Sequence, residues 1–312
     1  MGAAVPTLSL ADFTSGDPAR RVEFSARLFE GLKRYGFIIL VDHAVSPASI
    51  EHAYDLSARF FALPDAVKRT YAHGPRGYTP FRTEKAIGHK AADLKEFWQI
   101  GPEREGEPPR GPTEPPNVWP DEPAGFRDSF LALYRGLQET GRLLLEALVP
   151  GLQVPAGFFS RMVDDGNSVL RMIHYPPIPA DAEGGSLRSA PHEDINLVTL
   201  LVAAQGPGLE LLDHDGRWLP VDAGPAALIV DSGDMMARIT NGVIPATTHR
   251  VTNPAGPNVS RYSMPFFMHP NSDVMLECLP SCVGEGEGAK FPPVRADVFL
   301  EQRLRAIGLI RT

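Results

Sequence analysis

The chain carries only two cysteines in 312 residues, Cys278 and Cys282. That excludes a disulfide scaffold, and with no two further ligands in sequence reach the pair reads as free thiols rather than half of a structural zinc site. No apolar stretch approaches the roughly 20 residues of a membrane span. Met1 to Pro6 offer neither a charged leader with an apolar run nor the hydroxyl residue that a myristoylation signal places sixth. The expectation is a soluble, cytoplasmic protein. Runs of Lys and Arg are also lacking and the formal net charge is −8, so nucleic acid and anionic membrane surfaces are excluded as partners. Any anionic ligand must be met by local cations, and Arg261 and Arg171 are the candidates.

What is present is enough apolar sequence, 43%, for one substantial core. Ala19 to Tyr35 has a helical apolar pattern that stops at Gly36, ahead of the strand-like run Phe37 to Val41. Ser46-Pro47 starts a second helix running towards Pro64, with serine as cap. A third spans about Ala124 to Leu148. The segment Pro102 to Pro123, rich in Pro, Gly and Glu, reads as a surface connection. From Ser168 the pattern changes to short apolar runs separated by turn residues: Ser168 to Tyr175, Leu197 to Ala203, Leu209 to Leu212, Arg217 to Val221, Ala226 to Val230 and Arg261 to Met268. Many short strands of this kind predict a sandwich or double-sheet jelly roll with a mouth for a small ligand. Ala296 to Ile307 closes the chain as a helix.

The chemistry is concentrated in His192-x-Asp194, followed by His249 and then Arg261-x-Ser263. On an extended strand, side chains at i and i+2 share a face about 7 Å apart, so His192 and Asp194 grip one metal and His249 adds a third ligand from a distant strand. Two imidazoles and one carboxylate occupy one face of an octahedron and leave the opposite positions open, the pattern of a mononuclear non-haem Fe(II) centre. A catalytic zinc site shares these ligand types but also wants a general base nearby, and Glu193 has the opposite parity. Arg261 and Ser263 share a face, so a guanidinium fork and a hydroxyl point together at an anion.

The segments Pro191 to Leu201, Gly233 to Gly242, His249-Arg250-Val251 and Arg261-Tyr262-Ser263 resemble the isopenicillin N synthase-like family of Fe(II)/2-oxoglutarate-dependent dioxygenases. Gly36 to Val45 and Arg76 to Pro80 resemble that family's leading segment, so the likeness covers nearly the whole chain. It implies a mostly β protein with flanking helices: a double-stranded β-helix, or jelly-roll, core over residues 166–312 behind an N-terminal helical and strand segment, 1–165, packed on it as one compact unit. It further implies Fe(II), with 2-oxoglutarate and O2 as co-substrates, and oxidation, foremost hydroxylation, of a small organic substrate. His192, Asp194 and His249 would hold the iron, Arg261 and Ser263 the distal carboxylate of 2-oxoglutarate, and Tyr175, just before Pro176, would join them.

Arg171 shares a face with Tyr175 and is costly to bury without an anion, which makes it a candidate substrate residue. Phe267 has the parity of Arg261 and Ser263, and Asn196 that of His192 and Asp194, so both are placed at the substrate. Glu84, in the segment Tyr78 to Glu84 with Phe97 and Trp98 beyond, adds a polar contact. Together they point to a polar or zwitterionic small molecule, and Pro176 to Ala190 would act as a lid. Two other readings share the site: an isopenicillin N synthase-type oxidase that does not use 2-oxoglutarate, and a jelly-roll protein that binds a ligand without catalysis.

Overall fold

The structure, a computed structural model, describes residues 5–86, 91–104, 106–202 and 206–309. The chain enters through β1 (Thr7–Ser9) and α1 (Leu10–Thr14) into α2 (Pro18–Tyr35), whose first turn is capped by the Asp17 carboxylate accepting from the Ala19 N–H at 2.9 Å. Gly36 stops this helix in the left-handed region (φ 64°), its N–H donating to the Leu32 carbonyl at 2.7 Å. The reversal feeds β2 (Phe37–Val41). Ser46 caps α3 (Pro47–Phe61), accepting from the Ser49 N–H at 3.1 Å. Then come α4 (Asp65–Arg69), β3 (Gly77–Thr79), β4 (Glu96–Ile100), α5 (Phe126–Leu152) and α6 (Phe158–Val163). The long helix α5 runs through Pro150 past the expected end at Leu148, because the buried Leu152 holds its last turn in the core.

The C-terminal part supplies β5 (Val169–Tyr175), β6 (Ser189–His192), β7 (Val198–Val202), β8 (Leu209–Leu212), β9 (Trp218–Pro220), β10 (Leu228–Ser232), α7 (Asp234–Ile239), β11 (His249–Val251), β12 (Arg261–Met268), β13 (Met275–Leu276), β14 (Val294–Arg295) and α8 (Ala296–Ala306). Ala203, the expected end of β7, lies outside the described residues.

An eight-stranded sheet, β1-β2-β10-β7-β12-β5-β4-β3, faces a four-stranded one, β6-β11-β8-β9. The period-two alternation divides the large sheet cleanly. Leu170, Met172, Leu200, Met264 and Phe266 pack towards the helices, with Phe130, Leu137 and Leu144 of α5. Phe37, Ile173, Tyr175 and Ile229 point the other way and meet Leu209, Leu211 and Val251 of the small sheet. This is the jelly roll expected, with helices buttressing one sheet. The N-terminal segment is built into it: β2 pairs with β10 and β4 with β5, so residues before and after 165 share one sheet.

Three expectations are adjusted: the substrate-side place of Phe97 and Trp98, the surface connection 102–123 and the extent of the lid. Phe97 and Trp98 belong to a central strand, with Trp98 fully buried against the helices, because β4 lies between β3 and β5 with both edges paired. Among its described residues the connection 102–123 has no regular structure, yet Thr113 and Glu114 are buried, the latter taken by Arg104 at 3.0 Å and by the Ser272 hydroxyl. Ser189 and Ala190, the end of the expected lid, are strand residues.

Candidate active site

His192 and His249 are direct partners across the β6–β11 pair, so their side chains emerge on one face. Each Nε2 lies 3.8 Å from Asp194 Oδ1, and the three donor atoms lie within 4.8 Å of one another, which is how a metal-binding group is arranged. Each Nδ1 is hydrogen-bonded to the carbonyl two residues earlier, His192 to Ala190 at 2.8 Å and His249 to Thr247 at 3.1 Å. A carbonyl accepts only from N–H, so each Nδ1 carries its hydrogen, and in the neutral tautomer this selects, Nε2 is the free nitrogen facing the common centre. Burial, and then the neighbouring His249, push the His192 pKa down to about 4, so its ring is neutral at physiological pH. Asp194 Oδ2 accepts from the Thr199 hydroxyl. The donor set, two imidazoles and a hydrogen-bonded carboxylate, fits a ferrous ion.

The strand β6 ends at His192, and the chain bends through 195–197 as it crosses from the small sheet to β7 in the large one. Side-chain parity therefore does not carry beyond His192. Asp194 reaches the centre from the crossing itself, and Asn196 does not join it. Asn196 is fully buried behind the carboxylate, donating from Nδ2 to the Thr199 hydroxyl at 2.9 Å, and lines neither cavity. Its expected place at the substrate is corrected to one behind Asp194.

On one side of the centre is a small cavity of about 60 Å³, lined by Tyr175, Thr199, Arg261 and Ser263 together with the three clustered side chains. Arg261 pairs directly with Tyr175 across β12–β5, and Ser263 with Ile173. The Arg261 guanidinium sits 5.1 Å from the Tyr175 ring centroid, is 2% exposed, and donates from Nε to the Pro207 carbonyl at 3.2 Å. Its Nη1 is buried without a partner, and among the described residues no carboxylate pairs with it. A second cation, Arg188, stands near enough for its pKa to be lowered by burial and by Arg261. This end holds positive charge and unused donors, the complement of a carboxylate.

On the other side is a cavity of about 320 Å³, and both Arg171 and Phe267 line it as well as the smaller one. Arg171 stacks 4.0 Å from the Phe97 centroid and 5.3 Å from that of Phe267. Its anion is internal: Nη1 donates to Glu84 at 3.2 Å, while Nε donates to Gln99 at 3.0 Å. Lys95 joins Glu84 at 2.6 Å and Asp93 at 2.9 Å, so two cations and two carboxylates close on one another. Burial alone would raise Glu84, but Arg171 and Lys95 outweigh it and hold the carboxyl at about 2. Glu84 and Arg171 thus form the wall as an ion pair. Glu193 also lines this cavity and accepts from the Thr248 hydroxyl at 3.2 Å.

Sequence reasoning missed Thr199, Lys95 and Asp231. Asp231 lies on β10 in the small cavity, where burial and then Asp194 push its pKa well above the usual carboxylate range. Its signal was faint: one acid in the apolar run Leu228 to Ser232. The helix α8 closes the mouth of the large cavity with Leu300 and Leu304, tied down by Arg303 to Asp234 at 2.6 Å.

A jelly roll with two histidines and a carboxylate converging at its mouth defines a mononuclear non-haem metal enzyme. Residues 5–122 match the family described as non-haem dioxygenase in morphine synthesis N-terminal, and residues 166–270 the 2OG-Fe(II) oxygenase superfamily. The chain is 31% identical over 308 residues to the 2-oxoglutarate-Fe(II) type oxidoreductase hxnY of Emericella nidulans, covering 94% of this chain and 87% of that one. A 2OG-Fe(II) oxygenase family protein from Caulobacter crescentus superposes with TM-score 0.86 at 42% identity, covering 98% and 100%. Neurospora crassa T7H in complex with alpha-KG and thymine gives TM-score 0.86 at 29%, covering 97% and 96%. The chain belongs to the Fe(II)/2-oxoglutarate-dependent oxygenase family, in its isopenicillin N synthase-like branch. It is an oxygenase that uses Fe(II) and 2-oxoglutarate.

Proposed function

We propose that His192, Asp194 and His249 hold the iron, that Arg261, Ser263 and Tyr175 receive the distal carboxylate of 2-oxoglutarate, and that the enzyme hydroxylates a small polar molecule in the 320 Å³ cavity. The observation that carries this reading is Arg261: a buried guanidinium with an unused Nη1, directly opposite Tyr175 and two residues from Ser263, facing the His-Asp-His cluster. Held by His192, Asp194 and His249, iron would supply the activation of O2 that couples loss of CO2 from 2-oxoglutarate to oxidation of the substrate. The chain's own contribution is placement. Arg261 fixes the co-substrate by paired charge-assisted hydrogen bonds, the Nδ1 contacts hold each imidazole as a ligand, and α8 with Arg303 and Asp234 screens the cavity from water.

The substrate side favours a small molecule. The solved relative from Neurospora crassa holds thymine, and this cavity offers both polar and apolar groups in its lining. The cytoplasm is the proposed setting, where two free thiols, Cys278 and Cys282, are stable. Anaerobic titration with Fe(II) and 2-oxoglutarate, followed by a metabolite screen for substrate-stimulated succinate release, tests the reading. His192→Ala or Asp194→Ala abolishes turnover, whereas Arg261→Ala mainly raises the KM for 2-oxoglutarate. Full turnover in either ligand variant would remove the iron assignment.

A further inference from the structure

The cations lining the large cavity are matched by carboxylates, with two exceptions among the described residues. Arg171 and Lys95 pair with Glu84 and Asp93, and Arg303 pairs with Asp234. Lys85 is exposed to solvent. Arg76, in contrast, is 4% exposed, lines the cavity, and has no carboxylate within ion-pair distance. Glu114, the acid of the neighbouring loop, is already taken by Arg104 at 3.0 Å and by Ser272.

Resting on the oxygenase reading above, we propose that Arg76 is the substrate's anchor, a subsite for a single carboxylate at the end of the cavity remote from Arg261.

The guanidinium is held in place but not satisfied. Its one hydrogen bond among the described residues runs from Nη2 to Asn167 Oδ1 at 2.6 Å, and its Nε is buried without a partner. Asn167 is itself oriented, donating from Nδ2 to the Thr113 carbonyl at 3.0 Å. Behind Arg76, a Cβ on Gly101 would lie 2.2 Å from Nη2, so only glycine leaves room for the fork there. Nε faces Gly101, where a Cβ would lie 2.7 Å away, so an anion would be met at the Nη edge of the fork, and burying the charge with no carboxylate beside it is costly until one arrives.

The location suits substrate rather than co-substrate. On β12, Phe267 stands opposite Thr199, which holds Asp194, and Arg261 lies six residues back. His269, which lines the same end of the cavity as Arg76, lies two residues further on, ~7 Å along the chain. The lining also carries Ala86, Val169, Phe267, Leu300 and Leu304, beside the paired charges of Glu84, Arg171, Lys95 and Asp93. Among the described residues Arg76 is the one buried cation of this lining left unmatched, Lys85 being exposed to solvent, and that fits a small monocarboxylic acid, since a dianion such as phosphate would ask for a second buried free cation.

The test uses the full chain loaded with Fe(II) and 2-oxoglutarate under anaerobic conditions. Its probes are hexanoate, phenylacetate and 3-phenylpropionate, each beside its primary amide. Binding is read by calorimetry, and succinate release is measured after admitting oxygen. At least one acid binds the wild type 10-fold or more tighter than its amide; Arg76→Gln erases that preference, on the order of 10- to 100-fold, and Arg76→Lys restores part of it. Equal binding of acids and amides to the wild type overturns the proposal whatever the variants do. So does a preference that survives in Arg76→Gln. Binding of 2-oxoglutarate by the same wild-type protein is measured first, so a failure of the oxygenase reading appears there and a failure of the anchor only in the probe series.

Discussion

Thr199 donates its hydroxyl hydrogen to the outer oxygen of Asp194, and Asn196 donates to that same hydroxyl at 2.9 Å. The chain Asn196–Thr199–Asp194 fixes which carboxylate oxygen turns towards the two imidazoles. A hydroxyl whose lone pair is occupied by Asn196 has its hydrogen directed at Asp194, so the ligand's orientation is decided before metal arrives. Thr199→Val keeps the shape and deletes the donor. Fe(II) affinity falls by about 10- to 100-fold, while turnover at saturating iron stays within a few-fold. Metal titration by competition with a chelator checks this, and unchanged affinity would assign Thr199 to packing alone.

The tetrad of Glu84, Arg171, Lys95 and Asp93 has no net charge, and its members are buried or nearly so. Removing one carboxylate leaves two cations sharing one anion. Glu84→Gln is therefore expected to destabilise the fold by about 3–5 kcal/mol, the range for breaking a buried pair. Removing Arg171 as well, in Glu84→Gln with Arg171→Gln, recovers part of the loss. Urea unfolding of the two singles and the double gives the coupling directly, and additive losses would show the four groups to be independent.

Stability depends on pH through His269, which donates from Nδ1 to the Phe267 carbonyl at 3.1 Å. Burial pushes its pKa from 6.5 to about 4, with Arg76 acting in the same direction. The folded state thus binds fewer protons than the unfolded chain between these values, so stability falls as pH drops through 6.5 towards 4. The loss from this group is about 2 kcal/mol between pH 7.5 and 5. His269→Asn retains an N–H for Phe267 and removes the titration. Denaturation at the two pH values should show a loss smaller by that amount in the variant.

Much of the candidate site was legible because it obeys local rules. Arg261 and Ser263 share a face of β12, and His249 begins β11, as alternation requires. Asn196 was misplaced because parity was carried past His192, where the strand ends and the chain changes sheets. Lys95, Asp231 and Arg76 were silent for another reason. Lys95 and Asp231 are ordinary charged residues in sequence, and Arg76, though within a segment that carries the family likeness, shows no role there; each becomes unusual only when the fold brings it to a cavity wall. Pairings such as β2 with β10, nearly two hundred residues apart, leave no local trace. The long connection 102–123 misled through composition, since Thr113 and Glu114 are buried by contacts to Asn167 and Arg104 that proline and glycine content does not report.

Gly233 tests how tightly the crossing segment is held. Its φ of −105° and ψ of −176° are extended and open to any residue, so backbone strain is not what a side chain would meet there. A Cβ at that position would instead lie 2.5 Å from the Asn196 carbonyl and side-chain oxygens and 2.7 Å from the Asp194 carbonyl. Two of these are backbone atoms, which cannot swing aside as a flexible side chain would. The Asp234 and Met235 N–H groups also donate to the Asp194 and Asn196 carbonyls at 2.7 and 3.1 Å, so the turn into α7 is stitched to the metal-side segment. Gly233→Ala must therefore separate the two chains, moving Asp194 away from His192 and His249. The expected outcome is a loss of stability of about 1–3 kcal/mol, as for overpacking, together with weaker Fe(II) binding. Arg261 lies on another strand, so the loss shows first in metal titration. A Gly233→Ala protein of wild-type stability and iron affinity would mean that the segment yields freely, and that Asp194 is positioned by its side-chain partners rather than by this backbone contact.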